Sequence, residues 1–421
     1  MKDLTKGYPA KVIILFAIPM IFGSIFQQLY NIADSKIVST FVGTEAFAAV
    51  GATSVVSNTL IGFLNSLTLG FAIPIANSFG GKDYKRMRRM VAGTVLLTLA
   101  GAVVLTVLIL LLIPAILKLL ATPEDIMSPA LAYVRIILYG IIFVSVYNMC
   151  ANVLRAVGDS RTPLYCLIIS VFVNIGLDLL FVNGFHMGIQ GAAWATIISQ
   201  ALSAVLCLGY ILLKFRDIIP EKDEWKPVEG QYSELLTTGL AMGFMSLVVN
   251  FGTIVLQGAI NGLGTAIVAA HTAARKVFDI FTVSLYCLGN AMTTFVSQNM
   301  GAGEPARIRR GIRHAVVIAT GITTVLVIIC FAFGRPVFTW LASTDNPTIV
   351  DSAVMYSCTI SRILPPPSAK INPTFSMNKP SILPAAAMSI ILPIRNDGIT
   401  PTTASKMITI NERTALNKFS R

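Results

Sequence analysis

Apolar runs of about twenty residues recur along this chain, separated by short breaks of charged residues, Gly and Pro. They predict helices near residues 12–32, 46–78, 91–113, 130–154, 163–183, 189–213, 234–260, 266–300, 312–333 and 348–363. A helix needs about 20 apolar residues to cross a bilayer, whereas a barrel strand alternates over about 10. The pattern is that of an all-α polytopic membrane protein with about ten transmembrane helices.

Polar residues break this pattern at a few spacings that a helix brings onto one face. In "FQQLYNIADSKIV", Gln27, Asn31 and Asp34 are separated by four and then three positions, so they share a face, and the opposite face is apolar. Pro19 lies inside the same predicted helix, where it removes a backbone hydrogen bond and permits a kink. "VNIGLDLLF" places Asn174 and Asp178 four apart, and "AAWATIIS" does the same for Ala192 and Thr196. A charge at bilayer depth costs about 3 kcal/mol or more, so acids there mark function. Asp34 could instead cap its helix at the interface, and Asn174 could simply tie helices together. The stripe continues inward from Asp34 through Asn31 and Gln27, which favours a site. Two carboxylates, an amide and a hydroxyl suit a hard cation, and paired carboxylates can also hold a proton. Asp279, one turn after Arg275, reads as a neutralised pair. His186, His271 and His314 lack metal-ligand spacing.

The chain also repeats itself. "GTEAFAA" at 43–49 matches "GTAIVAA" at 264–270, and "NSFGGKDYKRMRR" at 77–89 matches "QNMGAGEPARIRR" at 298–310, both at an offset of 221. Met20, Phe22 and Ser24 match Met242, Phe244 and Ser246 at an offset of 222. This predicts two parallel-repeat six-helix bundles, an arrangement typical of transporters with a substrate site between the halves. The first bundle is expected over 1–213, a cytoplasmic linker over 214–233, and an incomplete second bundle over 234–363. Beyond Tyr356 the repeat fails. Residues 357–421 hold eight of the chain's 20 prolines, and their longest apolar window is too short to span. A Pro-rich irregular tail is expected over 364–421, as if from a shifted reading frame. A second bundle lacking its last two helices is expected to be less stable and a weaker transporter than a complete relative.

Composition agrees. Of 421 residues, 55% are hydrophobic and 12% are charged, against about 25% charged in a soluble domain. The mean hydropathy is +0.74. The net charge of +12 reflects topology, not nucleic-acid binding. Alternate connections (the N-terminus, 82–89, 155–161, 214–226 and 307–313) carry 18 Lys and Arg, and the other side carries only Lys36, Lys118 and Arg335. The richer side is cytoplasmic by the positive-inside rule, which puts the N-terminus there. The first apolar run is expected to stay as a helix and not be cleaved as a leader. The six cysteines form no CxxC pair and read as packing residues. HExxH, GxSxG and Walker A motifs are absent, so no enzyme is expected, and active transport would have to run on an ion gradient.

The stretches "QLYNIADSKIVSTFVGTEAFAAVG", "VLRAVGDSRTP", "VNIGLDLLF", "GIQGAAWATIISQ" and "SQNMGAG" together resemble the multidrug and toxic compound extrusion (MATE) transporters, over about residues 8–356. The resemblance implies twelve helices in two lobes and cation-coupled export by alternating access. It implies an H⁺ or Na⁺ antiporter for organic, cationic amphiphilic drugs or metabolites. It further implies a monomer with no cofactor beyond the coupling ion, multi-pass in a bacterial cytoplasmic membrane. The family's first-lobe cation site carries over onto Asp34, Asn174, Asp178 and Thr196, with Ala192 offering a backbone carbonyl, and its bending proline onto Pro19. Some members have a helix 7 carboxylate that "GLAMGFMSLVVNFGTIVLQ" lacks. The rival expectations are a flippase of lipid-linked saccharides, for which Arg135, Arg275 and Lys276 are the intramembrane cations, and an inactive truncated transporter or membrane scaffold.

Overall fold

The computed structural model describes the backbone of residues 3–120, 122–261 and 265–342. Among these residues there are nine long helices: α1 (Pro9–Phe41), α2 (Thr44–Gly80), α3 (Tyr84–Leu119), α4 (Glu124–Ala156), α5 (Arg161–Asp178), α6 (Gly188–Lys214), α7 (Gln231–Asn261), α8 (Thr265–Gly301) and α9 (Pro305–Ala342). A π-helical turn, Leu179–Gly184, extends α5. Two short 3-10 turns, Arg216–Ile218 and Lys222–Trp225, lie between α6 and α7. The first nine predicted segments all appear, each longer at both ends than its apolar run. Hydropathy detects only the part of a helix at lipid depth, while polar end turns continue the helix into water. The predicted tenth helix at 348–363 and the tail at 364–421 lie outside the described residues. Among the described residues, the segments of α1 to α7 are long and apolar enough to cross a membrane.

Local chemistry fixes the helix starts. Asp83 accepts a hydrogen bond from the Arg86 N–H at 2.9 Å and so begins α3. Asp159 begins α5 by accepting from the N–H groups of Arg161 and Thr162 and from the Thr162 hydroxyl. The first six helices then pack together. α2 lies against α4, α4 against α6, and α5 against both α1 and α6. Their shared core contains Leu64, Phe71, Ile75, Leu138 and Ile141, all fully buried. Large apolar side chains such as Leu111, Phe172 and Leu213 point away from neighbouring helices, as lipid-facing positions do.

The internal repeat is visible in the packing of α2 on α8. A Cβ on Gly80 would sit 1.9 Å from the Gln298 carbonyl oxygen, and one on Gly301 would sit 1.8 Å from that of Asn77. Asn77 and Gln298 are 221 apart, as are Gly80 and Gly301, so each partner of one contact is the repeat copy of a partner in the other. This is the reciprocal pattern of a two-fold interface, here between halves of one chain. Only glycine permits backbones to approach this closely.

Hydrogen bonds reinforce that end. The Leu4 N–H donates to Gln298 Oε1 at 3.0 Å, and Gln298 Nε2 donates to the Ala156 carbonyl at 2.7 Å. Arg307 donates to the carbonyls of Gly7 at 2.6 Å and Lys6 at 2.9 Å. The N-terminal segment, the ends of α2, α4 and α8 and the start of α9 are thereby gathered at the end that carries most of the basic residues. Arg88 makes a two-point ion pair with buried Glu224 at the same end, 2.7 Å for each bond. Its hydrogen bonds hold the Glu224 carboxyl below the usual glutamate range. Toward the opposite end, a Cβ on Gly51 of α2 or on Gly252 of α7 would meet none of the described residues within 4 Å.

Candidate functional site

Three helices build a polar site inside the first six. α1 supplies Asp34, α5 supplies Asn174 and Asp178, and α6 supplies Thr196. Asp34 is 9% exposed, Asn174 1% and Asp178 0%. Asp178 is the last residue of α5 before the π turn, where the Phe185 N–H reaches back five residues to the Leu180 carbonyl. Such widened turns recur at functional positions because they redirect side chains that a regular helix could not aim.

Neither acid is fully satisfied by the described residues. Asp34 Oδ1, both Asp178 oxygens and both polar atoms of the Asn174 side chain are buried without a hydrogen-bond partner. A buried unpaired polar group costs about 1–3 kcal/mol, and a charged one more. Among the described residues no Lys or Arg forms an ion pair with either acid. Asp178 lies within electrostatic reach of Asp34, and both acids lie within reach of Tyr30 and Tyr133. The Tyr30 hydroxyl donates to Thr196 Oγ1 at 3.1 Å, leaving that oxygen a second lone pair. Ala192 is buried one turn before Thr196. Two carboxylates, an amide oxygen and a hydroxyl oxygen with no basic residue among them fit a hard cation or a proton.

The α1 stripe divides. Gln27 lines a narrow cavity of about 10 Å³ together with Tyr30, Ser170, Asn174, Gln200 and Ser203. Asn31 is exposed, with its amide 3.5 Å from Gln28 Oε1, and the structure does not bring it into the site. Tyr30 stands four residues before Asp34 and takes the inward position that the spacing gave to Asn31. Pro19 is buried inside α1 and lines a second cavity that shares Gln27 with the first.

Sequence reasoning missed Tyr30, Tyr133, Ser170, Gln200 and Ser203. Ser170 Oγ, Gln200 Oε1 and Ser203 Oγ are buried without partners and extend the polar seam from the acids toward the second cavity. A signal existed: Ser170, Asn174 and Asp178 fall four apart on one face of α5. Of the other candidates, His186 sits at the turn before α6 with φ +52°, and His314 packs against Tyr8 with ring centroids 5.1 Å apart. Arg135 is exposed on α4. His271, Arg275, Lys276 and Asp279 lie on a part of α8 whose side chains are outside the described residues. Among the described residues no group of three His, Cys, Asp or Glu could hold a metal. Cys150, Cys166, Cys207 and Cys287 are free and buried.

The family model described as MatE matches residues 19–180 and 241–366. The chain is 29% identical over 310 residues to "Probable multidrug resistance protein YpnP" of Bacillus subtilis, covering 73% of this chain and 68% of that protein. It is 24% identical over 364 residues to an "FAD transporter" of Shewanella oneidensis, covering 85% and 80%. Among solved structures, the outward-facing conformation of a multidrug resistance transporter superposes with a TM-score of 0.80 at 23% identity, covering 86% of this chain and 80% of that one.

Proposed function

Because this chain belongs to the MATE family of membrane transporters, we propose that it exports a small organic molecule in exchange for an inward H⁺ or Na⁺. The observation that carries this reading is the buried Asp34–Asn174–Asp178 cluster, in which Asp34 Oδ1, Asn174 Oδ1 and both Asp178 oxygens have no partner among the described residues. A cation entering the cluster supplies the missing partner and offsets the repulsion between the two acids. It thereby favours the state in which α1, α5 and α6 close around it. Losing the cation to the cell interior favours the other state. Thr196, held by Tyr30, keeps one oxygen directed at the cluster, and Pro19 gives α1 a place to bend.

Residues 1–213 and 234–363 are the two lobes in this reading. They turn about the reciprocal Gly80–Gln298 and Gly301–Asn77 contact. Placing the basic end in the cytoplasm makes this conformation closed inward and open outward. Cysteines introduced singly at Lys85 and Arg309, in a cysteine-free background, should then resist an impermeant thiol reagent in intact cells. Labelling from outside at either position would reverse the topology.

The direct test uses the chain in sealed vesicles with an imposed pH or Na⁺ gradient. Efflux of an organic dye should exceed that of empty vesicles under one of the two gradients, and Asp34→Asn should remove the difference. Dye efflux by the variant equal to that of the parent would take Asp34 out of the mechanism.

A further inference from the structure

We propose that the second cavity seats an anionic group, a carboxylate or phosphate, on the exported molecule, with Arg155 as its charged partner. This names the substrate class of the transport reading above and rests on it. The cavity lies between the first six helices and α8, has a volume of about 90 Å³, and is lined by α1, α2, α4, α5 and α8 residues. That volume admits a head group of a few heavy atoms with its waters, but not a drug-sized body, for which pockets start at about 300 Å³. The part of the molecule held here is therefore a polar terminus.

The charge of the lining decides which terminus. Arg155 is its one charged residue, and no Asp or Glu is among the lining residues. The rest of its polar surface is neutral amides and hydroxyls that can donate to an anion, among them Asn65, Asn148, Asn290 and Tyr286. The nearest acid in sequence, Asp159, forms no ion pair with Arg155; its oxygens accept from the N–H groups of Arg161 and Thr162 and from the Thr162 hydroxyl. Among the described residues no carboxylate forms an ion pair with Arg155.

The arginine is also held in place. Its Nη1 donates to Asn152 Oδ1 at 2.9 Å, and Asn152 Nδ2 donates to Thr68 Oγ1 at 2.9 Å. Asn152 is 2% exposed and Thr68 1%, so α2 and α4 form a buried prop behind the guanidinium. Its Nε is buried without a partner. Held by Asn152 and without a carboxylate partner among the described residues, the Arg155 guanidinium carries a charge that a carboxylate or phosphate in the cavity would complement. Its placement also suits export. Arg155 lies at the closed end of the molecule, one residue before Ala156, whose carbonyl Gln298 binds. An anion seated there is directly beside the contact that must open for loading from that side.

The experiment compares two dyes that share a xanthene ring and differ in charge: fluorescein, an anion, and tetramethylrhodamine methyl ester, a cation. Binding to the purified 421-residue chain in uncharged detergent is read by fluorescence anisotropy. Fluorescein should bind about tenfold more tightly or better, as expected of a charge-assisted pair. Arg155→Gln should weaken it by about the same factor, and Arg155→Lys should restore part of the loss. Comparison of the two dyes on the unmodified chain needs no variant and so survives a failure of Arg155→Gln to fold. Equal or tighter binding of the cationic dye would overturn the proposal, as would fluorescein binding unaffected by Arg155→Gln. Occupation by phosphatidylglycerol with no saturable fluorescein binding would give the cavity to a lipid head group and also overturn it. The assay uses no gradient. A chain that binds fluorescein but does not export under either gradient would leave the anion site standing and remove the transport reading that makes it a substrate site.

Discussion

Gln298 and Asp178 are equally buried, each 0% exposed, but their surroundings differ. Gln298 accepts from the Leu4 N–H and donates to the Ala156 carbonyl, so both ends of its amide are used. Asp178 has two oxygens and no partner for either, and Asn174 one turn away is equally bare. Two atoms left over at the basic end, Asn299 Oδ1 and Arg307 Nε, belong to side chains that bond through their other atoms. In the α1–α5–α6 seam whole groups are left open. Buried polar groups that find partners inside the chain hold it together. Those that do not must be served by something that comes and goes. The first arrangement favours one conformation, and the second makes conformation depend on a ligand.

The contrast predicts opposite responses to substitution. The largest loss of stability is expected at Gln298→Ala, which strands a buried N–H and a buried carbonyl at about 1–3 kcal/mol each. It should lower the unfolding temperature clearly and loosen the N-terminal segment, read as faster hydrogen exchange at Leu4. Next is Arg88→Ala, which leaves buried Glu224 without its two-point partner at a cost of about 2 kcal/mol. Arg88 holds the Glu224 carboxyl below its ordinary value of 4.5, so the pair's contribution is complete above that pH and is lost as pH falls through the lower folded-state value. Acid titration should therefore destabilise the parent more steeply than Arg88→Ala. The smallest effect is expected at Ser170→Ala and Ser203→Ala. Their hydroxyls have no partner to lose, so unfolding free energies should stay within about 0.5 kcal/mol of the parent's. A marked drop at either serine, or none at Gln298, would erase the distinction between the two regions.

Much of this was legible in the sequence, for a physical reason. A bilayer demands about 20 apolar residues per crossing, so nine helices could be placed before their ends were known. Asp34, Asn174 and Asp178 stood out because acids and amides are expensive at that depth and their four-residue spacing fixes a shared face. The offset of 221 gave the repeat, and the structure turns that offset into the contact between Asn77–Gly80 and Gln298–Gly301. Other features were hidden. Tyr30 carries no spacing signal beside Asn31, and only the rotation of α1 shows that it, not Asn31, faces inward. The π turn after Asp178 has no residue signature. Arg155 was counted with a basic connection because it lies beside one, yet α4 runs through Ala156 and turns that arginine into a cavity. A basic residue near a membrane boundary contributes to topology by its charge alone, and charge does not report where the side chain points.

The central claim is that the Asp34–Asn174–Asp178 cluster serves a transported cation and contributes nothing to holding the fold. One paired measurement on purified Asp34→Asn tests it directly: gradient-driven efflux from vesicles and thermal unfolding of the same preparation. The account predicts that efflux is lost while the unfolding temperature stays equal to the parent's or rises, since an unpartnered buried acid has been replaced by a neutral group. Retained efflux with a fall in unfolding temperature would show that Asp34 is structural and would contradict it.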